Sequence, residues 1–566
     1  MKKIFIALVG MAIAMPSVFA ATWYVSPNGN DGNSGATWAL AKKTIQAGVD
    51  TAASNDTVLV TNGEYVLSGQ IIVSSTIAVR SVNGPIETIV NGNGQNTSNR
   101  CFYLEPNCTL DGFTVTNGSL ATAHGGGVYC VSTETVITNC VITGNEVSGS
   151  WFGGGVSGGT LNNCTLADNL ADNGGGTFGS TLNNCMLTGN SASGGGGGAS
   201  GSTLNNCTLT DNSGNLGGAS YNSTLNNCTL TDNSAHYGGG GAYYGTLNNC
   251  TLTGNSVISR DPSISNGGGG ASGSTLNNCT LTDNSAYNGG GAYYGTLNNC
   301  LLIDNSADSS GGGACYGTLN NCTLSRNTAA DGSGVFNGGL KNCIVYYNYG
   351  MPQCDMCFPS YTCAPDAPAG NGNITNEPMF MDKNNGDYRL SVGSPCIDTG
   401  NNQYAPTNVT PVDLYGNSRI FNGTVDMGAY EYGSEPPTPA VVGPVIMANG
   451  STNNITINST DNLSVTVQFN PGEYAGTNDD WWVVALAGSS WYYLNSAIQW
   501  TPFDGYLSNC HPVHQGALFD LPATEALNIT GLSTGLYTFW FAVDSMDGIV
   551  NLDGPIWLDS VNVLVQ

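Results

Sequence analysis

The chain has 566 residues and a net charge of −27, from 12 Lys+Arg against 39 Asp+Glu, yet only 9% of its residues are charged and 80 are Gly. So few bases exclude nucleic acid and anionic membranes as partners, and 40% apolar content excludes disorder along the whole length. Abundant Gly without a three-residue period excludes collagen and argues against long helices, which leaves a glycine-punctuated all-β protein.

Lys2 and Lys3 precede an apolar run from Ile4 to Met15 and an exit at Val18, Phe19 and Ala20, the pattern of a secretory signal peptide over residues 1–20. Its removal takes the net charge to about −29. Pro16 interrupts the run before it reaches membrane-spanning length, and no later stretch is long enough to cross as a helix. The chain after residue 440 lacks the clean alternation of an outer-membrane barrel.

Residues 21–120 read as an N-terminal cap and the first turns of a solenoid. Lys42 to Ala53, KKTIQAGVDTAA, places Ile45 and Val49 four apart and predicts a short amphipathic helix suited to plugging a solenoid end. A strand and turn follow at DTVLVTNGEY, and Cys101 with Cys108 forms a candidate bridge.

Between residues 121 and 350 the segment TLNNCTL returns with small variations at Cys140, Cys164, Cys185, Cys207, Cys228, Cys250, Cys279, Cys300, Cys322 and Cys343. The spacing is 21 or 22 residues except for first and sixth intervals of 24 and 29. Such a unit has no room for a helix pair. Its Gly runs and short Thr/Leu/Cys strands predict one turn of a parallel β-helix, with three short sides and rungs about 4.8 Å apart. Cys164 and Leu166, with their equivalents, are expected to point inward. Asn145, Asn169, Asn190, Asn212, Asn233, Asn255, Asn284, Asn305, Asn327 and Asn348 each follow a cysteine by five residues and predict a stacked amide ladder. Parallel Cβ vectors at rung spacing suit a disulfide poorly, so the cysteine row reads as buried thiols acting as small hydrophobes.

Cys354, Cys357, Cys363 and Cys396 lie beyond the regular rungs, in the segment 351–432. A CxxC with further cysteines can ligate zinc, whereas export and the lack of a nearby His favour disulfides.

Three stretches carry a family resemblance. WYVSPNGNDGNSG, KKTIQAGVDTA and NDTVLVTNGEY, within Trp23 to Tyr65, resemble the N-terminal cap of bacterial right-handed β-helix proteins of the pectin-lyase type. The rungs, with NCTLTDNSA before GGGA, resemble repeats of the polymorphic outer membrane protein family. Residues 377–432, with EPMFMDKNNGDYRLSVGSPCIDTGNN and DLYGNSRIFNGTVDMGAYEY, are similar to the choice-of-anchor Q module. Together they imply a right-handed parallel β-helix closed by that module, secreted or held on the outer surface of a bacterium.

GSEPPTPA, residues 433–440, reads as a linker. Residues 441–566 hold six of the nine Trp and short alternating strands such as NLSVTVQF and GLYTFWFAVD, which predict a β-sandwich. Those tryptophans read as core, with a sugar-stacking face as the alternative.

Paired aromatics carry the strongest binding signal: Tyr243–Tyr244 and Tyr293–Tyr294, with Tyr316, Tyr129, Phe178, Tyr221 and Phe336 at adjoining positions. Pleat alternation sends one of each pair outward, so successive rungs display an aromatic row able to stack on sugar rings or pack against protein. The expected function is adhesion or glycan binding without catalysis. The expected partner is an extracellular polysaccharide or a cell-surface glycoprotein, neutral or bound through calcium because the chain is acidic.

The alternatives are a surface-layer role and a polysaccharide lyase or glycoside hydrolase. A pectate-lyase mechanism needs clustered carboxylates holding calcium and a Lys or Arg base. Between residues 120 and 350 the bases are Arg260, Arg326 and Lys341. Arg326 and Lys341 read as exposed charges, while Arg260 and Asp261, in the insertion VISRDPSISN, are the catalytic candidates. Asp168, Asp211, Asp232, Asp283 and Asp304 read as turn acids, with calcium bridging as the alternative. His124, in AHGGG, matches a glycosidase signature only superficially. Asp544, Asp547 and Asp553, in DSMDGIVNLD, make a candidate calcium loop without EF-hand spacing; a turn-rich hairpin explains them equally well.

Overall fold

The computed structural model describes residues 20–74, 76–94, 98–261, 267–407, 410–434, 443–452, 454–471, 476, 478–488, 490–506, 509–519, 521–545 and 557–566. The stretch before residue 20 that reads as a signal peptide, the end of the 257–266 insertion, most of the segment 433–440 expected as a linker, Asp547 and Asp553 lie outside them. Two compact units divide the chain, Met1–Ser434 and Glu435–Gln566.

The first unit is a parallel β-helix. Its strands stack into four parallel sheets of 15, 13, 9 and 13 strands, taken in the order the chain visits them; the central turns give one short strand to each, and among the described residues the turns at both ends give none to the third. One rung runs through Thr224–Asn226, Thr229–Thr231, Ser234–Ala235 and Ala242–Tyr243. The next rung pairs with it in register, Leu225 on Leu247, Leu230 on Leu252 and Ala242 on Ala271. Like residues stack because a parallel ladder with a constant repeat places each position over its equivalent. Leu225, Leu230, Ala235 and Ala242 fill the interior with Cys228.

Three sides were expected and four are present. The additional sheet comes from the Ser-Ala segments after the Asn ladder, such as Ser285–Asn288 and Ser306–Ser310, which pair in parallel. Segments this short and polar have no strand signature of their own; stacking on the rung below makes them strands. The corner that follows is glycine for a steric reason. A Cβ on Gly240 would lie 2.5 Å from the Gly269 carbonyl oxygen, because successive rungs approach backbone to backbone there.

The cap helix covers Ile45–Thr51, shorter than the twelve-residue segment expected, with the Thr44 side chain accepting from the Ala47 N–H. Ile45 and Val49 are buried against the first rungs.

The second unit packs two sheets over one core. Gly443–Ala448, Asn462–Asn470 and Leu521–Thr530 form one antiparallel sheet, and Asn478–Ala487, Gly535–Ser545 and Trp557–Val565 lead the other. Ile446, Val465 and Phe469 meet Trp481, Phe541 and Val563 between them. Trp481 and Trp482 are buried, so two of the six tryptophans are core.

Candidate functional site

The aromatic row lies on the fourth sheet and on the corner just past it. Ala242–Tyr243, Ala271–Ser272, Ala292–Tyr293, Ala314–Cys315 and Val335–Phe336 are consecutive strands of that sheet. The first residue of each points inward, so Tyr243 and Tyr293 lie on the outer face, where Tyr243 is half-buried and Tyr293 buried. Tyr244, Tyr294 and Tyr316 follow the strand ends and are 56%, 59% and 37% exposed. Their exposure has a different cause from the pleat alternation expected. The strands are two residues long, and these tyrosines occupy the corner with φ of 50°, 49° and 56°, which turns each ring outward.

The corner is firmly built. Tyr244 packs edge-on to Tyr243 at 4.4 Å between ring centroids, and Tyr294 likewise to Tyr293 at 4.8 Å. Tyr294 and Tyr316 stack at 4.9 Å and 11°. Between the two tyrosine pairs one rung carries Ser272 and Gly273. These small residues open a hollow of about 550 Å³ lined by Tyr243, Tyr244, Ser272, Gly273, Tyr293 and Tyr294. A second hollow of about 510 Å³ lies across Tyr244, against Tyr221, Asn222, Ser223, Thr224 and Thr246. Burial pushes the Tyr243 and Tyr293 phenols up to about 12, with hydrogen bonding to Tyr244 adding to the shift at Tyr243. Both therefore stay neutral across the ordinary pH range. Apart from tyrosines, no titratable side chain lines either hollow.

The catalytic candidates are not assembled into a site. Arg260 forms an ion pair with Asp308 at 3.2 Å, two rungs along the third sheet, with both side chains half-exposed. The Asp261 N–H donates to the Ser259 hydroxyl, and residues 262–266 of the same insertion lie outside the described residues. The hollow beside Gly94 and Asn117 has a single carboxylate, Glu146. Arg326, expected as an exposed charge, is partly exposed and hydrogen-bonded to Asp304 at 2.9 Å, and Lys341 rests 5.0 Å from the Tyr404 ring.

His124 has a packing role. Its Nδ1 accepts from the Phe152 N–H at 3.1 Å and its ring lies among Trp151, Phe152 and Phe178. Burial, then Arg100, holds its pKa below the ordinary value. The sequence reading missed Arg100 itself, whose buried guanidinium lies 5.0 Å from the Tyr129 ring and 5.7 Å from Tyr103. One isolated Arg gave no signal; Tyr103 follows it in the same rung, while Tyr129 and the Gly125 carbonyl arrive from the next.

Asp168, Asp211, Asp232, Asp283 and Asp304 all sit at φ near 55°, and Gly189 and Gly254 fill the same corner in other rungs. This is a turn position that Asp tolerates and Gly prefers. Asp544 is buried and accepts the Trp482 Nε1–H at 2.6 Å. Among the described residues no cluster of three His, Cys, Asp or Glu side chains suits a metal.

All nineteen cysteines carry free thiols. The ladder is joined by hydrogen bonds: the Cys207 N–H donates to Cys228 Sγ at 3.4 Å, and the Cys207 thiol donates to the Asn205 carbonyl at 3.2 Å. Cys101 and Cys108 do not meet as a pair, since their thiols donate to Thr116 and to Val73 and Ser74. Cys354 contacts Cys357, and Cys363 contacts Cys396.

A family model for the right-handed β-helix region matches residues 96–261. The handedness follows from that match. No curated protein matches the chain. Among solved structures, a rhamnogalacturonan lyase is 15% identical, with 60% of this chain and 84% of that one covered and a TM-score of 0.24. PfbA, a surface adhesin of Streptococcus pneumoniae, is 10% identical, covering 56% and 87%, with a TM-score of 0.28. The PL6 family alginate lyase AlyGC is 10% identical, covering 74% and 61%, with a TM-score of 0.31. Among the described residues no helix is long and apolar enough to cross a membrane.

Proposed function

We propose that this is an exported bacterial surface or secreted protein whose β-helix binds a neutral extracellular glycan on the tyrosine corner, without catalysis. The supporting observation is the corner itself. Tyr244, Tyr294 and Tyr316 present exposed rings held by edge-on and stacked neighbours, beside hollows with no charged wall. Sugar rings expose apolar C–H faces and hydroxyl rims. Tyrosine offers the matching π-face, and its neutral phenol donates and accepts hydrogen bonds. Because the rings are already ordered, binding costs little side-chain entropy. The resemblance of the rungs to polymorphic outer membrane protein repeats, and of residues 377–432 to the choice-of-anchor Q module, supports a surface location.

The test is retention of full-length protein on a panel of neutral and acidic polysaccharides, with calcium or a chelator, scoring released sugar ends in the same tubes. Retention on a neutral polymer without release is expected. Tyr244→Ala and Tyr294→Ala should each weaken retention roughly 3- to 10-fold, the scale of one aromatic contact. Released ends, abolished by Arg260→Ala, would overturn the reading in favour of a lyase or hydrolase.

A further inference from the structure

The second unit contains a cavity that neither the glycan reading nor its core packing uses. Its volume is about 220 Å³, and the surface it exposes is mostly apolar, with Trp481, Phe519, Phe541 and Ala526 among its walls; His514, Thr524 and Glu525 are the polar residues of the lining. Register explains how it arises. Antiparallel pairing sets Trp481 opposite His514, and their rings meet at 5.0 Å. Phe519 closes against Trp481 at 4.8 Å. In the facing sheet, Leu521–Thr530 is an edge strand whose pairing with Asn462–Asn470 slips twice, after Val465 and after Val467. Such bulges bend an edge strand and part it from the sheet beneath.

Two buried polar atoms on residues that line this cavity stand out. Trp481 is only 3% exposed, and its Nε1–H has no hydrogen-bond partner among the described residues; neither has His514 Nε2. A buried indole N–H normally finds an acceptor, and leaving it unpaired opposes folding. Packing therefore accounts for the rings but not for this donor.

We propose that the cavity is a binding site for a small aromatic molecule carrying a hydrogen-bond acceptor, such as an aryl carbonyl, whose oxygen takes the Trp481 N–H. The size agrees: an apolar cavity of about 150 Å³ holds benzene, and this one has room for a substituent. Aromatic walls favour edge-to-face contact with an aryl ring over an alkyl chain. A sugar is disfavoured because its hydroxyls would meet a wall with almost no polar surface. The site is independent of the tyrosine corner.

The test is titration of full-length protein with acetophenone and with ethylbenzene, followed by saturation-transfer NMR. Acetophenone should bind about tenfold more tightly, the value of one hydrogen bond to a buried donor. Trp481→Phe should abolish that preference while ethylbenzene binding persists, and Ala526→Phe should remove both signals by filling the space. Absence of transfer to either probe, equal affinity for the two, or acetophenone binding that survives Ala526→Phe would overturn the proposal. Should Ala526→Phe fail to fold, the Trp481→Phe preference decides.

Discussion

Asn233 uses its whole amide on its neighbours. Its Oδ1 accepts from the Asn212 N–H at 2.9 Å and from Asn212 Nδ2 at 3.0 Å, while its Nδ2 donates to the Leu209 carbonyl and to Asn255 Oδ1. The side chain is fully buried. Asn233→Ala strands a donor pair and a carbonyl in the interior, which costs about 3 kcal/mol at the usual value for unsatisfied buried groups. Because rungs interact mainly with adjacent rungs, faster amide exchange should centre on residues 209–255. The Asp corner predicts an opposite pattern. At the Asp232 φ of 54°, Asp232→Gly should leave the melting temperature unchanged or raise it, whereas Asp232→Val should cost about 1–2 kcal/mol. Calcium binding by this row would instead make both variants lose a calcium-dependent rise in melting temperature.

At the scale of elements, the segment from Asp398 to Tyr432 folds around one buried ion pair. Arg419 Nη2 donates to Glu431 Oε2 at 2.8 Å, and its Nη1 donates to the Gly428 carbonyl, with both side chains essentially inaccessible. Asp426 accepts from the Asp398 and Tyr432 N–H groups, and Asp413 from those of Tyr415, Asn417 and Glu431. The knot is fastened to the side of the last rungs, where Asn299, Asn321 and Asn342 donate to Val412, Asp426 and Asn401. Replacing Arg419 by Met leaves Glu431 buried without its cation, and unfolding of this segment should become easier by about 3–5 kcal/mol. Burial outweighs Arg419 at both acids, raising Asp426 to about 6 from 3.8 and Glu431 to about 7 from 4.5. The folded state thus holds protons that the unfolded chain releases. This stabilisation is complete below about pH 4 and lost as pH rises through 6 and 7. Thermal melts should show the segment loosening over that window, a trend absent if the knot stays equally protected from proteolysis at pH 5 and pH 8.

For the whole molecule, stacking like residues turns single-residue choices into surfaces. One tyrosine past a two-residue strand is a turn residue; three, at Tyr244, Tyr294 and Tyr316, make a corner with hollows on either side. If this corner carries binding, the double variant Tyr244→Ala, Tyr294→Ala should lose more retention than either single variant while melting with wild-type cooperativity. A folded double variant that binds like wild type would move the search to the second unit. Charge bears on the same choice. With 39 acidic and 12 basic residues the molecule repels acidic polymers, so added salt should leave binding of a neutral glycan almost unchanged.

The rung was legible in the sequence because every rung repeats the same local decision. Leu and Cys at fixed spacing turn inward, Asn at the corner pairs with the Asn above, and Gly fills the tight approach between rungs. The third sheet was not legible, since Ser-Ala segments become strands only on a neighbouring rung. The tyrosine orientation was misread for a related reason: alternation is a property of strands, and these rings stand just beyond one. In each LNNC segment the Asn residues also divide their work. Asn226 continues an outer amide ladder to Asn205 at 2.9 Å, whereas Asn227 holds the corner at a φ of 54° while its amide makes a longer contact to Asn206 at 3.3 Å. Composition, repeat spacing and residue pattern by themselves determined a glycine-cornered parallel β-helix with an aromatic row, because those features act through near neighbours in a stacked repeat. Only the tertiary structure decided that Arg260 is tied to Asp308, that the 398–432 segment grips rungs about a hundred residues earlier, and that Trp481 lines a cavity with its indole N–H unpartnered among the described residues. Those outcomes depend on strand register and on contacts distant along the chain, which no local pattern of residues encodes.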